Sequence, residues 1–363
     1  MRLLPFAFAA LAGVVAACSS APSTPESASP AGMPVPVLTP QAIGTRQLLQ
    51  AVSVVSNDVV WVSGHGGTWA RTEDGGATWT TGVVPGADSL QFRDLHALDA
   101  QRAWLMSAGN GAASQIWYSG DGGQNWTQQF RNGNSKAFYD CMAFWDDKHG
   151  IALSDGVDGI FPMLITRNGK TWGLLSDAAS PPSRAGEGSF AASGTCLVSR
   201  GDKLAWFGTG AAAAGNARVF RTTDEGRSWH GADTPIVTDA SSGIATVAFR
   251  DDARGVAMGG NIAKPDTFLL NVAVTTDGGV TWDAGTSPPF SGAVYGAAYG
   301  TNGAPPILVA VGPKGAAVSW DDARTWTRID TLSYWSVGMG KGGRGWLVGP
   351  GGRVRRLDLL ATP

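Results

Sequence analysis

One eight-residue phrase recurs along this chain and limits what it can fold into. It reads Thr275-Thr276-Asp277-Gly278-Gly279-Val280-Thr281-Trp282, with near-copies at 72–79, 119–126 and 222–229. Two copies are degraded: residues 166–172 are one residue short, and residues 319–326 carry Ala323 in place of the second glycine. The closing tryptophans stand at 79, 126, 172, 229, 282 and 326, in steps of 47, 46, 57, 53 and 44 residues. A period of about 40–50 with several short strands per unit predicts radial repetition, a β-propeller.

The phrase has the chemistry of a hairpin tip. Asp74, Asp121, Asn168, Asp224, Asp277 and Asp321 can accept backbone N–H bonds across the turn, and the glycines supply positive φ. Trp79, Trp126, Trp172, Trp229, Trp282 and Trp326 then open the returning strand, each expected to bury its indole with the N–H on a carbonyl. These residues read as structure, not catalysis. A second repeat lies upstream, a short apolar strand such as Trp61-Val62-Ser63-Gly64, Trp206-Phe207-Gly208-Thr209 or Trp346-Leu347-Val348-Gly349. It has seven copies against six octets. Another apolar strand precedes most of them, so each unit reads as strands A to D with the octet between C and D. The seventh unit stops after its third strand, Arg353 to Leu357, and the segment near Val37 to Ile43 is available as its fourth. The expectation is an all-β, seven-bladed propeller over residues 41–363, closed by an N-terminal strand.

Only 15% of the residues are charged and the net charge is −2, without the basic stripe that nucleic acid requires. The first 17 residues read as a signal peptide: Met1-Arg2, then an apolar run to Ala17. Val15-Ala16-Ala17-Cys18 resembles a bacterial lipobox, which implies acylation of Cys18 and export as a membrane-anchored, periplasm-facing lipoprotein. The absence of Asp at 19 or 20 points to an outer membrane by the same resemblance. Residues 18–40 form a Ser/Pro/Ala-rich tether with nothing to bury. Cys141 and Cys196 each stand 10 residues before a B strand, at equivalent places in neighbouring units. They make either a disulfide or two buried thiols. No Cys-His spacing suggests a metal, and His65, His96, His149 and His230 are scattered. No glycine fingerprint opens a helix after a strand, so no cofactor is expected.

Function is expected on the face opposite the octets, where the connections are uneven. The longest runs from Gly173 to Gly194, and long B–C loops fall at 155–162, 210–217 and 260–270, on units three to five. Arg93, Asp94, Tyr139, Asp140, Asp155, Arg184, Glu187, Thr209, Asn261 and Lys264 are expected to border this mouth. Two readings stay open. Asp140, Asp155 and Glu187 could serve a glycoside hydrolase as acid, base or nucleophile. Alternatively they accept backbone N–H bonds at loop bases, and the face binds an envelope protein or a glycan as a non-catalytic, monomeric scaffold.

The octet resembles the Asp box, or BNR repeat, of sialidase-like propellers. Sialidases need three arginines, a Tyr–Glu pair and an acid Asp. Here Gln91-Phe92-Arg93-Asp94 lacks the proline of their Phe-Arg-Ile-Pro motif and follows the first octet. Arg93 and Arg184 find no third arginine, and Tyr139 with Glu187 is the one candidate pair, so sialidase activity is not expected. Residues 274–282 and 345–354 are similar to photosystem II stability/assembly factor-like propellers, over roughly residues 41–360. Residues 186–195, Gly-Glu-Gly-Ser-Phe-Ala-Ala-Ser-Gly-Thr, look like a hallmark of bacterial envelope proteins in that group. This resemblance implies a non-catalytic protein-binding or assembly role.

Overall fold

The computed structural model describes residues 32–212, 215–300 and 306–360. The segment expected as a signal peptide, Cys18 and the expected tether as far as residue 31 lie outside these. Seven four-stranded antiparallel sheets follow one another along the chain. Their B strands are Val60–Gly64, Ala103–Ser107, Gly150–Ser154, Leu204–Gly208, Gly255–Asn261, Leu308–Gly312 and Gly345–Gly349. These strands are mostly apolar and almost wholly buried because neighbouring blades cover both faces, whereas D strands such as Thr80–Val83 lie outermost and are largely exposed. Seven apolar clusters fill the ring, one between each pair of adjacent blades. The last joins Leu49, Val60 and Val62 of blade one to Trp346, Val348 and Val354 of blade seven.

An N-terminal strand closes the ring. Val35–Gln41 pairs antiparallel with Arg353–Leu360, from Val35 opposite Leu360 to Gln41 opposite Val354. It begins ahead of the segment expected from sequence, so residues 35–40 belong to blade seven and not to a tether. Its Pro36 and Pro40 are tolerated because an outermost strand leaves alternate N–H positions unpaired.

The octets form hairpin tips with one hydrogen-bond scheme. In the first, Thr72 Oγ accepts the Gly76 amide at 2.9 Å, while the Asp74 carboxylate accepts the Thr78 amide at 2.8 Å and its hydroxyl at 2.6 Å. The Thr78 side chain and amide hold the Asp74 carboxyl down to about 2. The shortened copy reproduces the turn, with Asn168 Oδ1 accepting the Lys170 and Thr171 amides. In the last copy Asp322 and Ala323 take φ of 57° and 64°, and in the copy at 222–229 Glu225 takes 59°, where the other full-length octets have glycine, a departure that costs roughly 1 kcal/mol per residue.

The closing indoles differ from expectation. Trp126 and Trp326 donate to the Gly123 and Thr286 carbonyls, and Trp172 donates to the Gln129 side chain. The N–H groups of Trp79, Trp229 and Trp282 are buried without a hydrogen-bond partner. The fully buried indoles belong instead to B strands: Trp61, Trp104, Trp206 and Trp346. Three of these stitch one blade to the next. Trp61 donates to the Asp99 carbonyl, Trp104 to that of Gly169, and Trp206 to that of Gly278. Cys141 and Cys196 form a disulfide between blades three and four, with Cα atoms 6.0 Å apart.

Candidate functional site

The A strands of blades one, two, three and five slip register by one residue, at Gln50, Arg93, Asp140 and Ala245. Such a bulge re-aims a side chain. Here it sends Gln50, Arg93 and Asp140 to the segment Gly188–Thr195, the end of the long connection into blade four. Gln50 donates to the Ala192 carbonyl and Arg93 to that of Ala191, each at 3.5 Å. Asp140 accepts the Ala191 amide, and Asp155 accepts the Ser189 amide at 2.8 Å. Ser189 Oγ donates to the Gly208 carbonyl of blade four, and the Thr195 and Thr246 hydroxyls of blades four and five lie 2.7 Å apart. Ser193 Oγ donates to the Tyr295 carbonyl entering blade six, and Ser336 Oγ of blade seven donates to the Ser193 carbonyl. Gly194 has φ of +74°, and a Cβ there would stand 2.4 Å from Asp94 Oδ1. The segment is thus held by all seven blades and plugs the ring axis.

Burial governs the carboxylates around the plug. Asp94 accepts the Leu95 and Met142 amides at 2.6 Å, yet burial lifts its carboxyl to about 8. Burial raises Asp155 to about 6. Burial and the neighbouring Asp155 raise Asp140 well above the carboxylate range, with Arg93 pulling the other way. The Asp140 and Asp155 carboxyls interact, and Asp140 Oδ2 is buried without a hydrogen-bond partner. Glu187 behaves differently. Burial raises its carboxyl, but Arg218, the Arg184 amide and Thr209 Oγ outweigh that and hold it low. Arg218 donates from Nε at 2.9 Å and also from Nη2, while Thr209 donates at 2.7 Å.

The residues expected at one mouth therefore separate into groups. Arg93, Asp94, Asp140 and Asp155 meet around the plug. Glu187, Thr209 and Arg184 anchor its upstream end, with Arg184 also paired to Asp233 at 2.8 Å. Tyr139 is not at a mouth: its ring packs edge-on against Phe130 in the core between blades two and three, away from any pairing with Glu187. Asn261 donates to Asp239 and accepts the Ala263 amide within the loops of blades four and five, beside an exposed Lys264. Gln50 and Arg218 were missed by sequence reasoning. A signal for Gln50 exists, since Gln50, Arg93, Asp140 and Thr195 each stand eleven residues before Trp61, Trp104, Ile151 and Trp206.

The blade-five loop carries a feature the sequence reading did not single out. Ile262, Phe268, Leu269 and Leu270 are 41%, 69%, 52% and 43% exposed. Val237, near the end of the blade-four D strand His230–Thr238, is exposed as well. The loop is held in place: Thr267 Oγ donates to the Lys264 carbonyl, the Gly292 amide to the Thr267 carbonyl, and Lys314 pairs with Asp266 at 2.7 Å. Grooves of 530 and 600 Å³ lie on the outer ring, one at Arg250 and Asp322, the other at Arg46 and Arg355, and neither is at the axis.

Solved structures similar to this chain are propellers. YCF48 bound to D1 peptide shares 14% identity, with a TM-score of 0.62 over 92% of this chain and 99% of that one. YCF48 from Cyanidioschyzon merolae shares 16%, with a TM-score of 0.60 over 88% and 98%. The WD40 propeller domain of Doa1 shares 14%, with a TM-score of 0.58 over 90% and 97%. At such identities the likeness is one of fold. No protein-family model matches the sequence, and neither does any curated protein.

Proposed function

We propose that this chain is a non-catalytic propeller that binds a protein partner through the loop face of blades three to five. The apolar ledge of Ile262, Phe268, Leu269 and Leu270 on an ordered loop carries this reading. Exposed aromatic and aliphatic anchors rimmed by charge are what a protein interface desolvates. The axial carboxylates support it from the other side. Asp140, Asp155 and Glu187 each hold backbone N–H groups, and the plug occupies the place a sugar ring would need. That YCF48 is solved with a D1 peptide supplies a precedent for a ring of this fold that holds protein segments. We read the octets as Asp boxes and Cys18 as the acylated residue of an exported lipoprotein. That lipid would tether the ring to a membrane, on the periplasmic side and most simply at an outer membrane.

A photo-crosslinking residue in place of Leu269 should trap a discrete protein adduct in cells, and one in place of Val280, exposed on the octet side, should not. Adduct at both positions or at neither would refute the ledge. Replacing Asp140, Asp155 and Glu187 by amides should leave the adduct intact. Envelope-glycan hydrolysis by the native chain that vanishes in this triple variant would instead establish the glycosidase reading.

A further inference from the structure

Blade seven differs in charge from the rest of the ring. Residues 331–360 contain Lys341, Arg344, Arg353, Arg355 and Arg356 but only one acid, Asp358, in a chain whose net charge is −2. A groove of 480 Å³ opens on this blade, lined by Val37, Lys341, Arg344, Arg356, Asp358 and Leu360 among others. Asp358 fixes its geometry. It accepts Arg344 Nε on one oxygen and Arg356 Nε on the other, each at 2.8 Å. A carboxylate gripped from two sides is spent, and it sets two guanidinium planes in place. Arg356 Nη1 reaches the Gly75 carbonyl at 3.2 Å, while Lys341 is exposed. Apolar neighbours flank the cations: Val35, Val37 and Leu360 are all exposed. The turn carrying Lys341 is braced by its Gly340-to-Arg344 backbone bond and by Leu359, packed against Gly343.

The groove lies where the chain outside the ring arrives. The closing strand starts at Val35, opposite Leu360, on the octet side of blade seven. Sixteen residues separate Cys18 from Val35. Even fully extended, a link of that length reaches no more than about 60 Å, which keeps the groove close to any surface holding Cys18. We propose that this groove takes the phosphate headgroup of an anionic phospholipid in the membrane that carries the tether. Two oriented guanidiniums and an ammonium suit a phosphate, and Val35, Val37 and Leu360 suit the acyl boundary beside it. A Cβ on Gly75 of blade one would stand 3.7 Å from Arg344 Nη1 and 3.8 Å from Asp58 Oδ1, so an acid borders the site on the blade-one side and the rim of blade seven is what meets the lipid. The loop ledge then points away from the membrane. This inference rests on the tether proposed above.

The test uses the full chain matured in cells, extracted in detergent and examined by native mass spectrometry. Dioleoyl phosphatidylglycerol should be retained at least tenfold over dioleoyl phosphatidylcholine. Lys341→Gln should weaken retention roughly fivefold, and adding Arg344→Gln should weaken it by about as much again. Arg46→Gln, on the other side of the blade, should change nothing, and thermal melts establish that the variants are folded. Equal retention of the two lipids, or an unaffected double variant, overturns the site. Displacement of the lipid by millimolar inorganic phosphate assigns the groove to a soluble anion and overturns the lipid assignment. The intact mass is read separately. A chain without acyl mass on Cys18 that still selects phosphatidylglycerol refutes the tether but not the groove.

Discussion

Trp206→Ala tests the stitching of blade to blade. The indole is fully buried, stacks on Phe249 of blade five with centroids 3.8 Å apart and planes 13° from parallel, and donates to the Gly278 carbonyl at 2.8 Å. Deleting a buried aromatic costs about 3–5 kcal/mol, a large share of the roughly 5–15 kcal/mol that holds a typical fold. Trp206→Phe keeps a ring on Phe249 and gives up the hydrogen bond, for about 1–2 kcal/mol. Trp229 is half-buried and its N–H has no partner, so Trp229→Ala should cost about half as much as Trp206→Ala. The assay is urea unfolding followed by far-UV circular dichroism, which does not depend on the mutated fluorophore. A double-mutant cycle with Phe249→Ala should return a coupling of about 1 kcal/mol. A loss below about 1 kcal/mol for Trp206→Ala, or one no larger than for Trp229→Ala, would show that the B-strand indoles do not carry the ring.

Replacing Cys141 and Cys196 together by alanine should cost about 3–4 kcal/mol, since the bridge closes a loop with a sequence separation of 55; denaturant midpoints with and without reductant check this, and coincident midpoints refute it. Stability should also fall as pH rises above neutrality. Asp94 keeps its proton to about 8 when folded and loses it near 4 when unfolded, so the folded state binds the extra proton and the slope of stability with pH is negative. Buried His96, lowered to about 4, works in the opposite sense below about 6.5, which leaves pH 6.5–8.5 as the window where a decline of at least about 1–2 kcal/mol belongs to Asp94 together with Asp140, which burial raises in the same sense. A flat or rising midpoint across that window would refute it.

The ring was legible because its turn chemistry is local. An Asp-Gly-Gly tip needs only its own neighbours, so Asp74 or Asp277 reveals its role in the octet alone, and even Asp322 and Ala323 keep the turn. The start of the closing strand was harder, since Pro36 and Pro40 read as tether in a Pro/Ser/Ala-rich stretch and only pairing with Arg353–Leu360 makes them strand. The plug was not legible as a plug. Gly-Ser-Phe-Ala-Ala-Ser-Gly has no periodicity, and its partners, from Gln50 to Ser336, come from seven separate sheets. Tyr139 misled for a related reason: it sits beside Asp140 in sequence, but the register slip at Asp140 re-aims that side chain to the plug while the Tyr139 ring stays in the core against Phe130. The Phe268 ledge lay in a loop expected to matter, but sequence alone does not tell an exposed Phe-Leu-Leu from a buried one.

The closing strand has a mechanical consequence. Any pull on the residues ahead of Val35 is borne first by the seven paired positions between Val35–Gln41 and Arg353–Leu360. The seam that shuts the circle is therefore also its fuse: under load it would part before any blade unravels, and the same seven rungs could re-form once the load is gone.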